Sequence, residues 1–354
     1  MKAIKKYYII AFIILSILPF VLLPVLSSNL DENRTLQSLP SFIAKEGGIN
    51  LKWFGEIQDY VADHFAFREV LVEADSCVKQ KVLNTPSDSQ VIFGEGDWLF
   101  YSATLDDYAG CELTDEEFDT IAANLSGACA RLTKAGKKPL VLIVPNKSRV
   151  YSEYMPKSYG EPREMCNLTR LQYVMKEQGI PYVDAAKILT EGKATDELYL
   201  HGDTHWNNTG ARLVLNAVYE AWGIDARHEL GGYSISNTHE GDLYDMIYPT
   251  SDYLEAQRDY SDVDENTFKY RKKPKSMDDM EINTSSEDAA ATSVFVYRDS
   301  FGRAMIPYMS QIFGECTYVR STPYDVNKAL SSDAEYVLIE IVERNIRDLG
   351  NMEQ

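Results

Sequence analysis

The sequence has few cysteines, and they follow no metal-ligand spacing. None of the five belongs to a CxxC pair, which argues against a structural zinc site, a thioredoxin-like redox site and a dense disulfide framework. An odd count allows at most two bridges, and their pairing stays open. The chain has 354 residues, which suits one large α/β domain or two smaller ones.

Positive charge is also scarce. Lys and Arg number 35 against 54 Asp and Glu, so the formal net charge is −19. Because binding to a phosphate backbone needs a basic face, this balance argues against a nucleic-acid partner, although a local basic groove is not excluded. One basic run does occur, at residues 269–275. It is either a solvated loop or a contact for an anionic glycan or lipid head groups.

The N-terminus carries a long hydrophobic run. Residues 7–26 have no charge and follow three lysines. Twenty helical residues rise about 30 Å, enough to cross a bilayer core, and the lysines indicate its cytoplasmic side. We predict a signal anchor over 1–28, with a cleaved signal peptide or a buried core helix as alternatives. Either the anchor or the cleaved peptide places everything after Ser28 outside the cytoplasm.

Beyond that run, the hydrophobic pattern predicts helices interleaved with short strands. We expect a linker with a helical and hairpin extension over 29–110, then a catalytic domain over 111–354 with an excursion at about 225–292. The expected helices are 51–65, 68–83, 115–135, 164–178, 209–222 and 303–313. The expected strands are 91–93, 98–101, 139–144, 180–183, 293–297, 316–320 and 336–342. This order indicates an α/β fold with a mostly parallel sheet flanked by helices.

The first chemically informative motif is the segment 201–207, which reads HGDTHWN and precedes a helix that Asn208 or Thr209 would cap. In an extended segment, side chains two residues apart point the same way. Asp203 can therefore hold the tautomer of His205 and stabilise the imidazolium that forms during general-base catalysis.

The second motif is the segment 298–302, which reads RDSFG and lies between a predicted strand and a helix. Ser300 is thus expected at the carboxyl end of the sheet, with its N–H near a helix start where it can donate to an oxyanion. Together the two motifs supply a nucleophile, a base and an orienting acid. A competing interpretation makes His201, Asp203 and His205 metal ligands.

The order of these motifs resembles the DHHW-type branch of the SGNH hydrolase superfamily, similar to the alginate O-acetylation proteins AlgJ and AlgX. The matching segments run through most of the chain after the anchor: Glu32-Asn33-Arg34 with Pro40, Asp63-His64-Phe65 with Phe67-Arg68, Gly94 with Trp98-Leu99-Phe100-Tyr101, Pro145-Asn146-Lys147 with Tyr151 and Pro156, Asp203-Thr204-His205-Trp206-Asn207, Asp299-Ser300-Phe301-Gly302, and Glu343-Arg344. The resemblance implies Ser300 as nucleophile, His205 as base and Asp203 as its orienter, in a permuted order with the serine last. Arg298 stands where the wider superfamily has Gly.

By the same resemblance, the fold is SGNH-hydrolase-like and the protein is an extracytoplasmic O-acetyltransferase. A membrane-bound O-acyltransferase would supply acetyl groups, and a serine acyl-enzyme would pass them to a polysaccharide. The candidate oxyanion and substrate-binding residues are Asn146, Trp206, Arg298 and Arg344, and we expect no metal or cofactor. A carbohydrate acetylesterase with the same triad and a non-catalytic cell-envelope binding protein are the alternatives.

Overall fold

The structure of the protein is a computed structural model that describes residues 13, 37–43, 48–64, 88–110, 113–249, 251–263 and 266–353. Apart from Ile13, the predicted anchor lies outside these residues, and so does the predicted helix at 68–83. No helix within the described ranges is both long and apolar enough to cross a membrane. The chain divides into two units, Met1–Val91 with Asp242–Tyr253, and Ile92–Gly241 with Leu254–Gln354.

The secondary structure follows the predicted alternation of helices and strands. The described helices are α1 Trp53–Asp63, α2 Leu105–Ala109, α3 Asp115–Lys134, α4 Lys147–Val150, α5 Asn167–Glu177, α6 Ala185–Gly192, α7 Asn208–Trp222, α8 Asp242–Ile247, α9 Ile306–Ile312 and α10 Val326–Ser331. The described strands are β1 Val91–Phe93, β2 Leu99–Tyr101, β3 Lys138–Val144, β4 Tyr182–Val183, β5 Tyr233–His239, β6 Glu255–Tyr260, β7 Phe268–Tyr270, β8 Glu281–Ser286, β9 Ala291–Tyr297, β10 Phe313–Val319 and β11 Tyr336–Val342.

The smaller unit contains the amphipathic helix that the sequence predicts at 51–65, observed as α1. At its start, the indole N–H of Trp53 donates to the carbonyl of Pro40 at 3.3 Å. At its end, the carboxylate of Asp63 accepts the N–H of Gln37 at 2.7 Å. Both ends of the helix are therefore tied to the segment that precedes it.

A seven-stranded sheet in the order β4-β3-β11-β9-β10-β8-β7 forms the centre of the larger unit. The first five strands run parallel, and β8 and β7 add antiparallel pairs at one edge. The predicted mostly parallel sheet is confirmed. Within 225–292, where the sequence has no clear period, the structure contains four strands, of which β7 and β8 join the sheet and β5 and β6 form a separate hairpin.

Both faces of the parallel strands are buried, which is why they consist of unbroken apolar runs. In β3, Leu140, Leu142 and Val144 enter one apolar cluster, and Val141 and Ile143 enter the other. Helices α6, α7 and α9 contribute to the first cluster, and α3, α5 and α10 to the second. The sheet is thus covered by helices on each side, as predicted.

Helix α7 begins one residue earlier than the sequence suggests. Its N-cap is Asn207, whose Oδ1 accepts the N–H of Gly210 at 3.0 Å. The predicted caps are occupied elsewhere, because the Asn208 and Thr209 side chains hydrogen-bond to strand β6. The predicted C-terminal glycine is confirmed: Gly223 ends the helix in the left-handed region, with φ 68°.

The buried imidazole of His228 should make stability depend on pH. Burial and the charge of Arg212 lower its pKa from 6.5 to about 4. Between pH 6.5 and about pH 4, this imidazole is protonated in the unfolded chain but neutral in the folded protein. The free energy of unfolding therefore falls by about 1.4 kcal/mol for each pH unit below 6.5. Urea unfolding at pH 7 and pH 5 measures this effect. Between the two pH values, the free energy of unfolding of His228→Gln should fall by about 2 kcal/mol less than that of wild type. An equal fall in both proteins would show that His228 does not cause the pH dependence.

Candidate active site

Ser300 lies three residues beyond the end of β9, at the carboxyl edge of the parallel strands. The turn is fixed by Asp299, whose carboxylate accepts the N–H of Phe301 at 2.8 Å and that of Val342 at 2.8 Å. A 3-10 helix at Phe301–Met305 follows, and then α9. The predicted helix at 303–313 is therefore split, and β10 begins at Phe313 and not at 316.

Close packing beneath this turn explains the glycine of the RDSFG motif. A Cβ at Gly302 would lie 2.6 Å from the Cβ of Arg298 and 2.9 Å from an oxygen of Glu340. Arg298 itself is fully buried. Its guanidinium donates to the carbonyls of Met277 at 2.6 Å and Asp279 at 3.1 Å. It ties the end of β9 to the 277–279 segment and does not line the cavity at Ser300.

Asp203 and His205 meet through a compact turn. Residues 201–205 are bends, so the prediction of an extended segment is wrong. The carboxylate oxygen Oδ1 of Asp203 accepts the backbone N–H of His205 at 2.7 Å, as short acidic side chains do in turns. The same oxygen lies 2.6 Å from the ring nitrogen Nδ1 of His205. One residue pair thus fixes both the turn and the ring.

The predicted nucleophile, Ser300, and the predicted base, His205, are within hydrogen-bond distance. His205 Nε2 lies 2.8 Å from the Oγ of Ser300. Because an ionised carboxylate only accepts, Asp203 requires the proton of His205 on Nδ1, which leaves Nε2 to accept the Ser300 hydroxyl proton. This is the tautomer that general-base activation of the serine needs.

A second imidazole, which neither sequence motif indicates, contacts the same carboxylate. His239 Nε2 lies 2.7 Å from Asp203 Oδ2. Burial alone would raise the pKa of Asp203, but His205 and His239 outweigh it and hold the pKa well below its ordinary value. For His239, burial lowers the pKa, but its hydrogen bond to Asp203 and the Asp203 charge leave the pKa above its ordinary value.

Two buried charged side chains hold the loop that carries Asp203. The ammonium of Lys147 donates to the carbonyls of Leu200 at 3.0 Å and His201 at 2.9 Å, and also to that of Asp203. From the other side, the carboxylate of Glu255 accepts the backbone N–H groups of His201 and Gly202. The loop is therefore held through its carbonyls and its amides at once.

The side chain of His201 points away from Asp203 and His205. Its Nδ1 lies 2.9 Å from a carboxylate oxygen of Asp97 and its Nε2 lies 3.3 Å from one of Glu197. Its ring stacks on Trp98 with the centroids 4.1 Å apart. With both ring nitrogens occupied in this way, His201 does not share a ligand set with Asp203 and His205.

The remaining sequence candidates have different surroundings. Asn146 is buried, and its amide donates to a carboxylate oxygen of Asp107 at 3.1 Å. The guanidinium of Arg344 lies 5.2 Å from the ring centroid of Phe301. Trp206 donates its indole N–H to the Phe301 carbonyl at 2.9 Å. Of these three, Trp206 lines the cavity at Ser300.

That cavity has a volume of about 230 Å³ and opens beside Ser300 and His205. Its apolar wall comes from Trp206, Tyr270, Met277, Phe301, Ala304 and Pro307. Its polar lining comes from Asn208, His239, Gln257 and Arg303. Apolar walls with a few placed polar groups are typical of small-molecule sites. The arrangement can therefore hold an acyl group against the serine.

The family described as SGNH hydrolase-like domain, acetyltransferase AlgX, matches residues 91–280. This range includes Asp203, His205 and His239 and ends before Ser300.

Individual relatives agree with the family match. The probable alginate O-acetylase AlgJ of Pseudomonas putida is 28% identical over 131 residues, which are 37% of this chain and 33% of the relative. The corresponding protein of Pseudomonas syringae pv. tomato is 25% identical over 176 residues, 47% of this chain and 41% of the relative. The chain thus matches well under half the length of either relative.

A solved structure shows the shared fold. Bacillus cereus PatB1 with a sulfonyl adduct superposes with a TM-score of 0.54 at 12% identity, covering 75% of this chain and 100% of that one.

Proposed function

Because this chain belongs to the SGNH hydrolase-like family of the acetyltransferase AlgX, we propose that it is a serine O-acetyltransferase. The membership confirms the resemblance that the motifs predicted. The observation that carries the proposal is the continuous contact from Ser300 through His205 to Asp203, at 2.8 Å and 2.6 Å. A nucleophile, a base and an orienting acid in this geometry support acyl transfer.

The reaction proceeds in two halves that share one base. Ser300 Oγ bonds to the acetyl carbonyl carbon of the donor while its proton passes to His205 Nε2. Collapse of the tetrahedral intermediate breaks the bond to the donor's leaving group, which takes that proton. A sugar hydroxyl then gives its proton to Nε2 and attacks the acetyl-serine, and Ser300 leaves with the proton restored. Asp203 stays ionised and stabilises the imidazolium in both halves.

The acceptor in this proposal is a cell-surface or secreted polysaccharide, and a membrane-bound O-acyltransferase supplies the acetyl groups. The hydrophobic run at 7–26 supports a membrane-anchored, extracytoplasmic catalytic domain. The basic run at 269–275 includes Tyr270 and ends two residues before Met277, and both residues belong to the cavity wall. Its Lys269 and Arg271 face Glu287 and Glu315. The positive charge of this run beside the cavity would attract an anionic polysaccharide, such as the alginate in the names of the relatives.

The test is transfer measured against hydrolysis. The purified chain in detergent is given a chromogenic acetyl ester with deacetylated alginate, with a neutral oligoglucan, or with neither. We expect ester-linked acetate on a glycan and an acetylated Ser300 peptide by mass spectrometry. Free acetate as the sole product with every glycan would indicate the esterase alternative. An unmodified Ser300 with no product would leave the non-catalytic alternative.

A further inference from the structure

The hairpin formed by β5 and β6 reaches the triad acid from the side opposite His205. The two oxygens of the Asp203 carboxylate have different partners, with His205 on Oδ1 and His239 on Oδ2, the latter at 2.7 Å. Since an ionised carboxylate only accepts, the Nε2 of His239 donates to it. The charged groups that face His239 are Asp203, Glu255 and Arg303.

His239 is placed by the hairpin register. It pairs across the hairpin with Glu255, and Glu255 accepts the backbone N–H groups of His201 and Gly202. The backbones also approach closely, because a Cβ at Gly241 would lie 2.5 Å from the carbonyl oxygen of Gly202. The paired residues His239 and Glu255 therefore hold the segment that carries Asp203 in two ways. Glu255 binds its backbone, and His239 binds the Asp203 side chain.

We propose that His239 is a positioning residue for acyl transfer, which fixes the Asp203 carboxylate so that Oδ1 remains on His205. This inference rests on the proposed function. A carboxylate held at one oxygen can rotate about its Cβ–Cγ bond, whereas a second N–H on the other oxygen fixes its plane. The orientation of the His205 ring depends on that plane, because Nδ1 donates to Oδ1.

The test compares two amides that differ by one methylene group. In His239→Gln the side-chain NH₂ reaches about as far as Nε2 and can still donate to Asp203, whereas in His239→Asn it falls short. With a chromogenic acetyl ester and the full chain, we expect His239→Asn to lower kcat about 10- to 100-fold, the loss of a hydrogen bond to a charged group. We expect KM to change by less than about 2-fold and His239→Gln to retain most of wild-type kcat. Ile235→Ala is the matched control, because Ile235 lies on the same strand with 67% of its surface exposed.

The contrary outcomes are distinct. Equal kcat for wild type, His239→Asn and His239→Gln would overturn the inference, and so would equal losses in both variants. A raised KM with unchanged kcat would make His239 a substrate contact instead. Adding His239→Asn to Asp203→Asn should lower kcat little further, because the carboxylate that His239 positions is already absent in Asp203→Asn. Wild-type activity that survives Ser300→Ala would overturn the proposed function, separately from the role of His239.

Discussion

Replacing Ser300 with alanine should abolish ester turnover, with a fall in kcat of about 10⁵- to 10⁶-fold. The Oγ of Ser300 is the atom placed 2.8 Å from the base. Without it the acyl-enzyme cannot form. The fold should persist, because Asp299 holds the turn through the backbone of Phe301 and Val342. The readouts are ester hydrolysis, acetylation of the Ser300 peptide and the thermal unfolding midpoint.

Ser331→Ala provides the control for that experiment, since Ser331 is exposed at the end of α10. It should match wild type in all three readouts. Retained turnover in Ser300→Ala, with the same unfolding midpoint, would remove Ser300 as the nucleophile and with it the acyl-serine route.

The second large effect concerns Asp203 and His205 together. Asp203→Asn should lower kcat about 10³- to 10⁴-fold, because the imidazolium then forms beside a neutral amide in a buried site. KM should change little, since Asp203 is 3% exposed and does not line the cavity. His205→Ala should be at least as severe. The double variant should be scarcely worse than His205→Ala, because the two residues act as a unit.

Turnover of one acetyl ester by both single variants and the double variant provides the measurement. If the fold-loss in turnover of the double variant equals the product of the two single fold-losses, Asp203 and His205 act independently, for example as separate sugar contacts. That outcome would exclude the triad even if Ser300 proved essential. Unchanged unfolding midpoints in all three variants are required for the comparison.

Much of the fold could be predicted because its strands are buried on both faces. Residues 139–144 and 336–342 are continuous apolar runs, and they appear as β3 and β11 within one residue of the predicted bounds. The place of Ser300 at a strand end follows from the same pattern. Strand β8 has no such apolar run. Its fully buried residue Thr284 is polar, and its hydroxyl donates to the hydroxyl of Ser310.

The contact of His239 with Asp203 could not be predicted, because it depends on tertiary pairing. Strand β5 is largely exposed, so hydrophobic alternation does not show which side chains face inward. A register shift between Asn237 and His239 also breaks the two-residue period just where His239 lies. The small number of histidines was the one feature of the sequence that pointed to His239. The chain has five histidines, so each isolated one deserved consideration as a partner for a carboxylate.

The contacts that hold the loop at residues 200–205 also bear on when, during folding, Ser300 meets His205. Lys147 and Glu255 lie more than fifty residues from the loop atoms they bind, and Ser300 lies 95 residues from His205. Contacts between such distant parts of a chain form late, because each closes a long loop. Helices such as α3 contain mostly local hydrogen bonds and can form before them. We therefore expect Ser300 to remain an ordinary serine hydroxyl until these long-range contacts have closed.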